Sequence, residues 1–139
     1  MKTAVDSSVL LDVLLADPRF GPGSREALRA AYGAGALVAC DVVWAEVRAC
    51  FPAAEPFAEA MELIGVGFDA TTPEAAALAG ELWRASRPTR GTRAGGATRD
   101  RLVADFLIGA HALRQADRLL TRDDRFYRSR FARLAVLAP

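Results

Sequence analysis

Cysteine and histidine are scarce in this chain of 139 residues, which contains two Cys and one His. Cys40 and Cys50 have neither CxxC spacing nor a nearby histidine, so a zinc site is not indicated. We expect both to be buried, reduced thiols, which favours a reducing compartment over a disulfide-stapled secreted fold. His111, the single histidine, is expected to pack or to form a hydrogen bond rather than to act as a general base.

Long apolar runs are also missing. The most apolar segments, 9–16 and 36–47, are interrupted by Asp12, Asp41 and Glu46. They fall short of the roughly 18 continuous apolar residues that a membrane span requires. The start of the chain has no apolar stretch of the kind that marks a secretory signal. We therefore expect a soluble protein of the cytoplasm with no membrane association.

The composition is that of a globular domain, with 52% hydrophobic and 25% charged residues. Its length suits one domain over residues 1–139, of the α/β class. The net charge of +1 hides an asymmetry: residues 1–83 carry five basic against twelve acidic side chains, and residues 84–139 carry thirteen arginines against five aspartates. Arginine suits phosphate binding, which indicates a nucleic-acid partner. An arginine-rich coding bias explains the same pattern equally well, because Lys2 is the only lysine.

Apolar periodicity predicts alternating strands and helices. Strands are predicted over 2–5, 36–43, 64–68, 118–121 and 134–137, and helices at about 9–14 (after a tight turn at 6–8), 25–32, 43–51, 56–63, 73–83 and 102–115, with a turn or short helix at 124–130. Segment 84–101, rich in Arg, Gly and Thr, is predicted to be an exposed loop. This alternation predicts an open, mostly parallel sheet with helices on both faces, a three-layer α/β/α sandwich.

Four acidic residues are expected at one edge of this sheet. Asp6 and Asp123 follow the first and fourth strands, Glu46 lies shortly after the second, and Asp105 stands in the first turn of the predicted 102–115 helix. In such sheets ligands bind beyond the carboxyl ends of the strands. Each acid also has a plain structural explanation as a cap or turn residue. As a group they would repel one another, and oxygen ligands select Mg²⁺ or Mn²⁺ to neutralise them.

Supporting roles are assigned more loosely. The hydroxyls of Ser8 and Thr121 are candidates to hold a ligand or water, although such groups more often satisfy the backbone. Asp124 is an alternative to Asp123 for the fourth acidic position. Asp12 is expected to be solvated or to support the site indirectly. The candidate RNA- or partner-binding side chains are arginines of one segment: Arg84, Arg87, Arg90, Arg93, Arg99 and Arg101.

Four segments together resemble the PIN-domain toxins of VapC type: residues 4–11 (AVDSSVLL), 42–47 (VVWAEV), 104–112 (ADFLIGAHA) and 119–123 (LLTRD). The resemblance implies a compact α/β/α fold and a Mg²⁺- or Mn²⁺-dependent endoribonuclease, a hydrolase of RNA phosphodiester bonds. It implies the toxin of a toxin–antitoxin system, neutralised by a cognate antitoxin, and a homodimer. The acids of the family motif correspond here to Asp6, Glu46, Asp105 and Asp123.

Other functions with a similar architecture are weaker. A Mg²⁺-binding phosphoacceptor domain ordinarily has paired acids after the first strand and a lysine near the pocket, and this chain has Asp6-Ser7-Ser8 there. A haloacid-dehalogenase-like phosphatase needs an acid at residue 8, which is serine. The remaining alternative is a non-catalytic RNA- or protein-binding module of the same fold.

Overall fold

The computed structural model describes residues 1–86 and 96–139, with the side chains of 96–102 left out of the description. Its strands are β1 (Lys2–Val5), β2 (Ala36–Ala39), β3 (Val66–Phe68), β4 (Arg118–Leu120) and β5 (Val136–Leu137). Its helices are α1 (Ser7–Leu14), α2 (Gly21–Ala34), α3 (Asp41–Arg48), α4 (Ala54–Ile64), α5 (Pro73–Ser86), α6 (Gly96–Gln115) and α7 (Asp124–Arg130).

The five strands form one sheet in the order β3-β2-β1-β4-β5, and every pairing is parallel. From β1 the chain builds outward through β2 and β3 to one edge, then returns to place β4 and β5 on the other side of β1. Right-handed crossovers in opposite directions put their helices on opposite faces of a sheet. The predicted α/β/α sandwich with a parallel sheet is confirmed.

The centre of the sheet is covered on both faces. Val5, Ala39 and Leu119 each expose at most 1% of their surface. Burial on both faces explains why these strands appear in the sequence as continuous apolar runs rather than as alternating patterns.

Several element boundaries differ from the prediction. β2 ends at Ala39 rather than at residue 43, and α3 begins at Asp41. Val43 is then a helical residue with no exposed surface, so its apolar character reflects packing in the core rather than a strand. α2 begins at Gly21, earlier than predicted. Pro22 is compatible with this start because the first helical turn needs no N–H from it.

The predicted loop over 84–101 is partly wrong. α5 continues through Ser86 and includes Arg84, and α6 begins at Gly96, six residues before the predicted start at 102. Arg99 and Arg101 therefore lie on a helix. Alanine and arginine are strong helix formers, so helix propensity favours this start even though the sequence shows no apolar periodicity there. The other three candidates, Arg87, Arg90 and Arg93, lie outside the described residues.

The two cysteines have different surroundings. Both are free thiols, but only Cys40 is buried, so the prediction of two buried cysteines is wrong for Cys50. Cys50 lies just beyond the end of α3, where the chain turns toward solvent. Burial raises the pKa of the Cys40 thiol. None of the helices in the described part of the chain combines the length and hydrophobicity needed to cross a membrane.

Candidate active site

The strand order reverses at β1, so the ends of β1 and β4 form the switch point of the sheet. Asp6 follows β1 directly, and Thr121 follows β4 directly. The two positions are neighbours, because Val5 pairs with Leu120 and the Asp6 N–H donates to the Leu120 carbonyl at 2.9 Å. A crevice at the carboxyl ends of strands on either side of a switch point is where open α/β sheets bind ligands.

Asp6 is held in a fixed position. It is only 6% exposed. Its Oδ2 accepts hydrogen bonds from Thr121 Oγ1 at 2.6 Å and Ser8 Oγ at 3.1 Å, while Ser7 Oγ lies 3.4 Å from Oδ1. Burial raises the pKa of Asp6 above its ordinary value, the hydroxyl bonds oppose that shift, and the charge of Asp123 adds to it. The side-chain donors that bind this carboxylate are neutral hydroxyls.

Thr121 connects two of the acids. Its side chain is completely buried. Its hydroxyl donates to Asp6 and accepts the backbone N–H of Asp123 at 3.0 Å. The structure therefore places the hydroxyls of Thr121 and Ser8 against Asp6, and their candidate role in holding a ligand or water stays a prediction.

Two helices bring the remaining acids. Asp105 is half-buried on α6, and Glu46 is exposed on the last turn of α3. α6 begins about two and a half turns before Asp105, so this residue is not in a first turn and cannot owe its place to the helix dipole. Val43 and Val47, which lie three residues before and one residue after Glu46, are buried in the core, whereas Glu46 itself is exposed.

These four acids line one cavity of about 410 Å³: Asp6, Glu46, Asp105 and Asp123. Ser7, Ser8, Leu11, Ala104 and Arg122 complete its lining. A guanidinium is therefore the one basic group among the described residues of this lining. Among the described residues that line it, acids outnumber bases by four to one, and close like charges disfavour four ionised carboxylates unless a cation joins them.

The pKa of the buried Tyr127 hydroxyl is affected by these four acids. Its ring is buried on α7, and its hydroxyl has no hydrogen-bond partner among the described residues. Burial raises the pKa of Tyr127 far above its ordinary value, and the charges of all four acids raise it further. The four carboxylates thus lie near enough to one buried hydroxyl to act on it together.

The chemistry of the donors fits a hard divalent cation. Carboxylate and hydroxyl oxygens are the ligands of Mg²⁺ and Mn²⁺, and the cavity offers neither histidine nor cysteine for a softer metal. Within the described ranges, however, no three acidic, histidine or cysteine side chains stand close enough together to form a ready coordination group. The residue types and their shared cavity nevertheless fit a cation. To bind it, the exposed side chains of Glu46 and Asp123 would have to move toward it.

Asp124 lies apart from the acid cavity. It lines a neighbouring cavity of about 550 Å³, and its Oδ2 lies 3.3 Å from Arg128 Nε. Asp123, by contrast, lines the acid cavity. The geometry favours Asp123 over Asp124 for the fourth position. Arg84 is exposed on the last turn of α5 and is not among the residues that line either cavity.

Asp12 and Arg122 were not assigned to the site from the sequence, yet they form its most buried ion pair among the described residues. Arg122 Nε donates to Asp12 Oδ2 at 2.6 Å, and Ser24 Oγ donates to the same oxygen at 2.7 Å. Asp12 is 4% exposed, so of the two expectations for this residue the solvated side chain is wrong, and indirect support of the site, through Arg122, agrees with the geometry. The only signal available in the sequence was the position of Arg122 between Thr121 and Asp123.

Two residues of α6 have structural roles. His111 is buried, with Nε2 2.9 Å from Asp69 Oδ2, as expected for a packed, hydrogen-bonded histidine. Gly109 faces the ring of Phe131, and a Cβ built on Gly109 would come within 2.3 Å of that ring. Close packing, rather than access for a ligand, explains the glycine.

Comparisons with known proteins agree with this geometry. A family model described as the PIN domain matches residues 3–132. No curated protein matches the chain.

Solved structures of similar fold cover the whole chain. VapBC2 from Rickettsia felis, bound to a DNA fragment from its promoter, has a TM-score of 0.69 at 17% identity, covering 99% of this chain and 98% of that one. VapBC-1 from nontypeable Haemophilus influenzae has a TM-score of 0.64 at 19% identity, with coverages of 99% and 98%. FitAB bound to the IR36 DNA fragment has a TM-score of 0.58 at 17% identity, with coverages of 99% and 94%. At these identities the likeness concerns the fold.

Proposed function

The chain belongs to the PIN domain family, and from this premise we propose that it is a Mg²⁺- or Mn²⁺-dependent endoribonuclease. The observation that carries the proposal is the convergence of four acids from four separate elements on one cavity at the switch point of the sheet. Acids that served only as caps and turns would have no reason to share a cavity.

Asp6, Glu46, Asp105 and Asp123 are the residues that would hold the cation. Such an ion lowers the pKa of a water molecule and stabilises the departing oxygen of a phosphodiester. The chain contributes the orientation of Asp6, which Thr121 and Ser8 fix through their hydroxyls. The buried Asp6 carboxylate gains most from a nearby positive charge, because burial disfavours its ionised form.

RNA is the proposed substrate. The second half of the chain, residues 84–139, carries thirteen arginines, and Arg122 brings one guanidinium to the lining of the acid cavity. A guanidinium can bind two phosphate oxygens at once. The arginines of α6, Arg99 and Arg101, lie on the helix that also carries Asp105. A single strand bound across this helix would pass the acids.

The physiological role we propose is that of the toxin in a toxin–antitoxin pair acting in the cytoplasm. The neighbours in fold are VapBC complexes and FitAB, each described with DNA or as a two-component assembly. We expect a cognate antitoxin to bind this chain. Expression of the chain alone should slow growth, and co-expression with the product of an adjacent small gene should restore it and yield a co-purifying complex. The homodimer stays a prediction, measurable by light scattering on the purified chain.

The test of the nuclease proposal is cleavage of labelled single-stranded RNA by the purified chain. We expect cleavage with Mg²⁺ or Mn²⁺, none with EDTA, and at least a hundredfold loss in Asp6→Asn and Asp105→Asn, with circular dichroism unchanged. Glu59→Gln, an exposed acid on α4, is the matched control and should cleave normally. Equal activity of all variants, or no cleavage with any divalent ion, would contradict the proposal.

One observation favours a second candidate, the non-catalytic RNA- or protein-binding module. Among the described residues the acids do not form a ready coordination group. This alternative predicts RNA binding that neither Mg²⁺ nor Mn²⁺ converts into cleavage, so the same experiment distinguishes the two functions.

A further inference from the structure

Arg122 lies between two cavities. It lines the acid cavity, and it also lines the neighbouring cavity of about 550 Å³ together with Arg19, Phe20 and Asp124. The linings of the two cavities therefore share one side chain. A chain-like ligand that occupied both cavities would lie against Arg122.

The guanidinium is anchored on one side. Its Nε is bound to Asp12, whose carboxylate is buried and is also held by Ser24. Its CZ carbon lies 4.1 Å from the centre of the Phe20 ring. An arginine that is already fixed by an ion pair and by stacking loses little side-chain conformational entropy when it binds a ligand. Arg122 is therefore preorganised for binding.

The remaining part of the guanidinium is available to a ligand. The side chain is 35% exposed, and neither terminal nitrogen has a hydrogen-bond partner within residues 1–86 and 103–139. Two terminal N–H groups in one plane match the spacing of two phosphate oxygens.

Two guanidinium groups line the second cavity, that of Arg122 and one other. Arg19 contributes a second guanidinium, 4.9 Å from the centre of the same Phe20 ring. The carboxylate of Asp124 is offset by Arg128, which lies 3.3 Å away. Asp17 fixes this part of the loop by accepting the backbone N–H groups of Arg19 and Phe20, each at 2.8 Å. Its carboxylate thus holds the backbone that carries both side chains.

We propose that Arg122 binds a backbone phosphate of single-stranded RNA beside the acid cavity, and that the Arg19–Phe20 cavity holds the adjoining nucleotide. Asp12 is a positioning residue that acts through Arg122. The proposal deepens the ribonuclease function and rests on it for the identity of the ligand, but not for the role of Arg122 in binding. In this proposal the four acids would hold a cation, and the guanidinium of Arg122 holds the substrate.

The first experiment measures binding of a fluorescently labelled single-stranded RNA to the full chain by anisotropy in EDTA, where no cleavage competes. Arg122→Ala is expected to weaken binding about ten- to hundredfold and to reduce the slope of log affinity against log salt by about 0.7, the value for one lost phosphate contact on a single strand. Arg122→Lys should restore little, because an ammonium cannot hold Asp12 and a phosphate together. The matched control is Arg133→Ala, an exposed arginine that precedes β5 and so lies toward the amino ends of the parallel strands, away from the residues that line the two cavities; it should bind as wild type.

A second measurement identifies which phosphate of the RNA is contacted. An uncharged methylphosphonate is placed at each linkage of the RNA in turn. Wild type should lose affinity most strongly at one linkage, and Arg122→Ala should show no further loss at that same linkage. Wild-type binding by Arg122→Ala, or equal sensitivity of both proteins to every linkage, would overturn the proposal.

The outcomes for the two proposals are distinguishable. Arg122-dependent RNA binding without metal-dependent cleavage would refute the nuclease and leave this site standing. Cleavage that requires Asp105 but with RNA binding indifferent to Arg122 would refute this site and leave the nuclease standing. Absence of RNA binding by wild type would refute both.

Discussion

Asp12 and Arg122 join the first helix to the loop that carries the fourth acid, through a bond of 2.6 Å between Oδ2 and Nε. The residues are 110 positions apart in the chain. The pair is possible because β1 and β4 are neighbours in the sheet, which brings α1 beside the segment that follows β4. The ion pair therefore depends on the sheet order and also shapes the edge of the candidate site.

Removing Asp12 should destabilise the fold. Asp12→Ala leaves Ser24 and Arg122 without their shared acceptor, and we expect a loss of about 1–3 kcal/mol in the free energy of unfolding, limited by the solvent exposure of Arg122. Asp12→Asn keeps the volume and one acceptor oxygen and should cost less. Urea denaturation measures both; a loss as large in Asp12→Asn as in Asp12→Ala would show that charge, not the hydrogen bonds, is what matters.

Replacing Gly109 should also destabilise the fold, although alanine favours helices. The added methyl would lie 2.3–2.9 Å from ring atoms of Phe131, which is 2% exposed and cannot move freely. We expect Gly109→Ala to cost about 1–3 kcal/mol. Gly80→Ala on α5 is the matched control, because a Cβ there meets nothing within 4 Å. It should stabilise the chain by about 0.5–1 kcal/mol. Equal effects of the two changes on the thermal midpoint would contradict the packing argument.

The two thiols should react at different rates. Cys50 is exposed, whereas Cys40 is 1% exposed and burial raises the pKa of its thiol, so little reactive thiolate forms. A thiol reagent at pH 8 should modify one cysteine per native chain and two in urea. Cys50→Ser should abolish the fast reaction. Rapid modification of both cysteines in the native chain would mean that the core around β2 opens easily.

Thr121 should be important for its hydroxyl and not for its shape. Thr121→Val keeps the volume but removes the 2.6 Å hydrogen bond to Asp6 and the acceptor for the Asp123 N–H. We expect a loss of about 1–3 kcal/mol in the free energy of unfolding, because buried polar groups lose their partner. Thr121→Ser keeps both bonds and should lose much less, and a Val variant as stable as Ser would refute this role.

Asp6 and Asp123 were predictable from the sequence for a general reason. Both follow apolar runs, and the carboxyl ends of parallel strands meet at one edge of the sheet. The strand order itself was not predictable in this way, so neither was the partnership of Asp12 with Arg122. The start of α6 was missed because the residues after Gly96 show no apolar periodicity. The sequence placed Glu46 shortly after the second strand but could not show that its position on α3 faces solvent.

The central claim is that acids from four separate elements form one cation site. Isothermal titration calorimetry of Mn²⁺ binding to the purified chain tests this claim most directly. Asp6→Asn, Glu46→Gln, Asp105→Asn and Asp123→Asn should each weaken Mn²⁺ binding at least about tenfold, as loss of a ligand requires, and Glu59→Gln should leave it unchanged. Wild-type Mn²⁺ affinity in all four variants would contradict the claim.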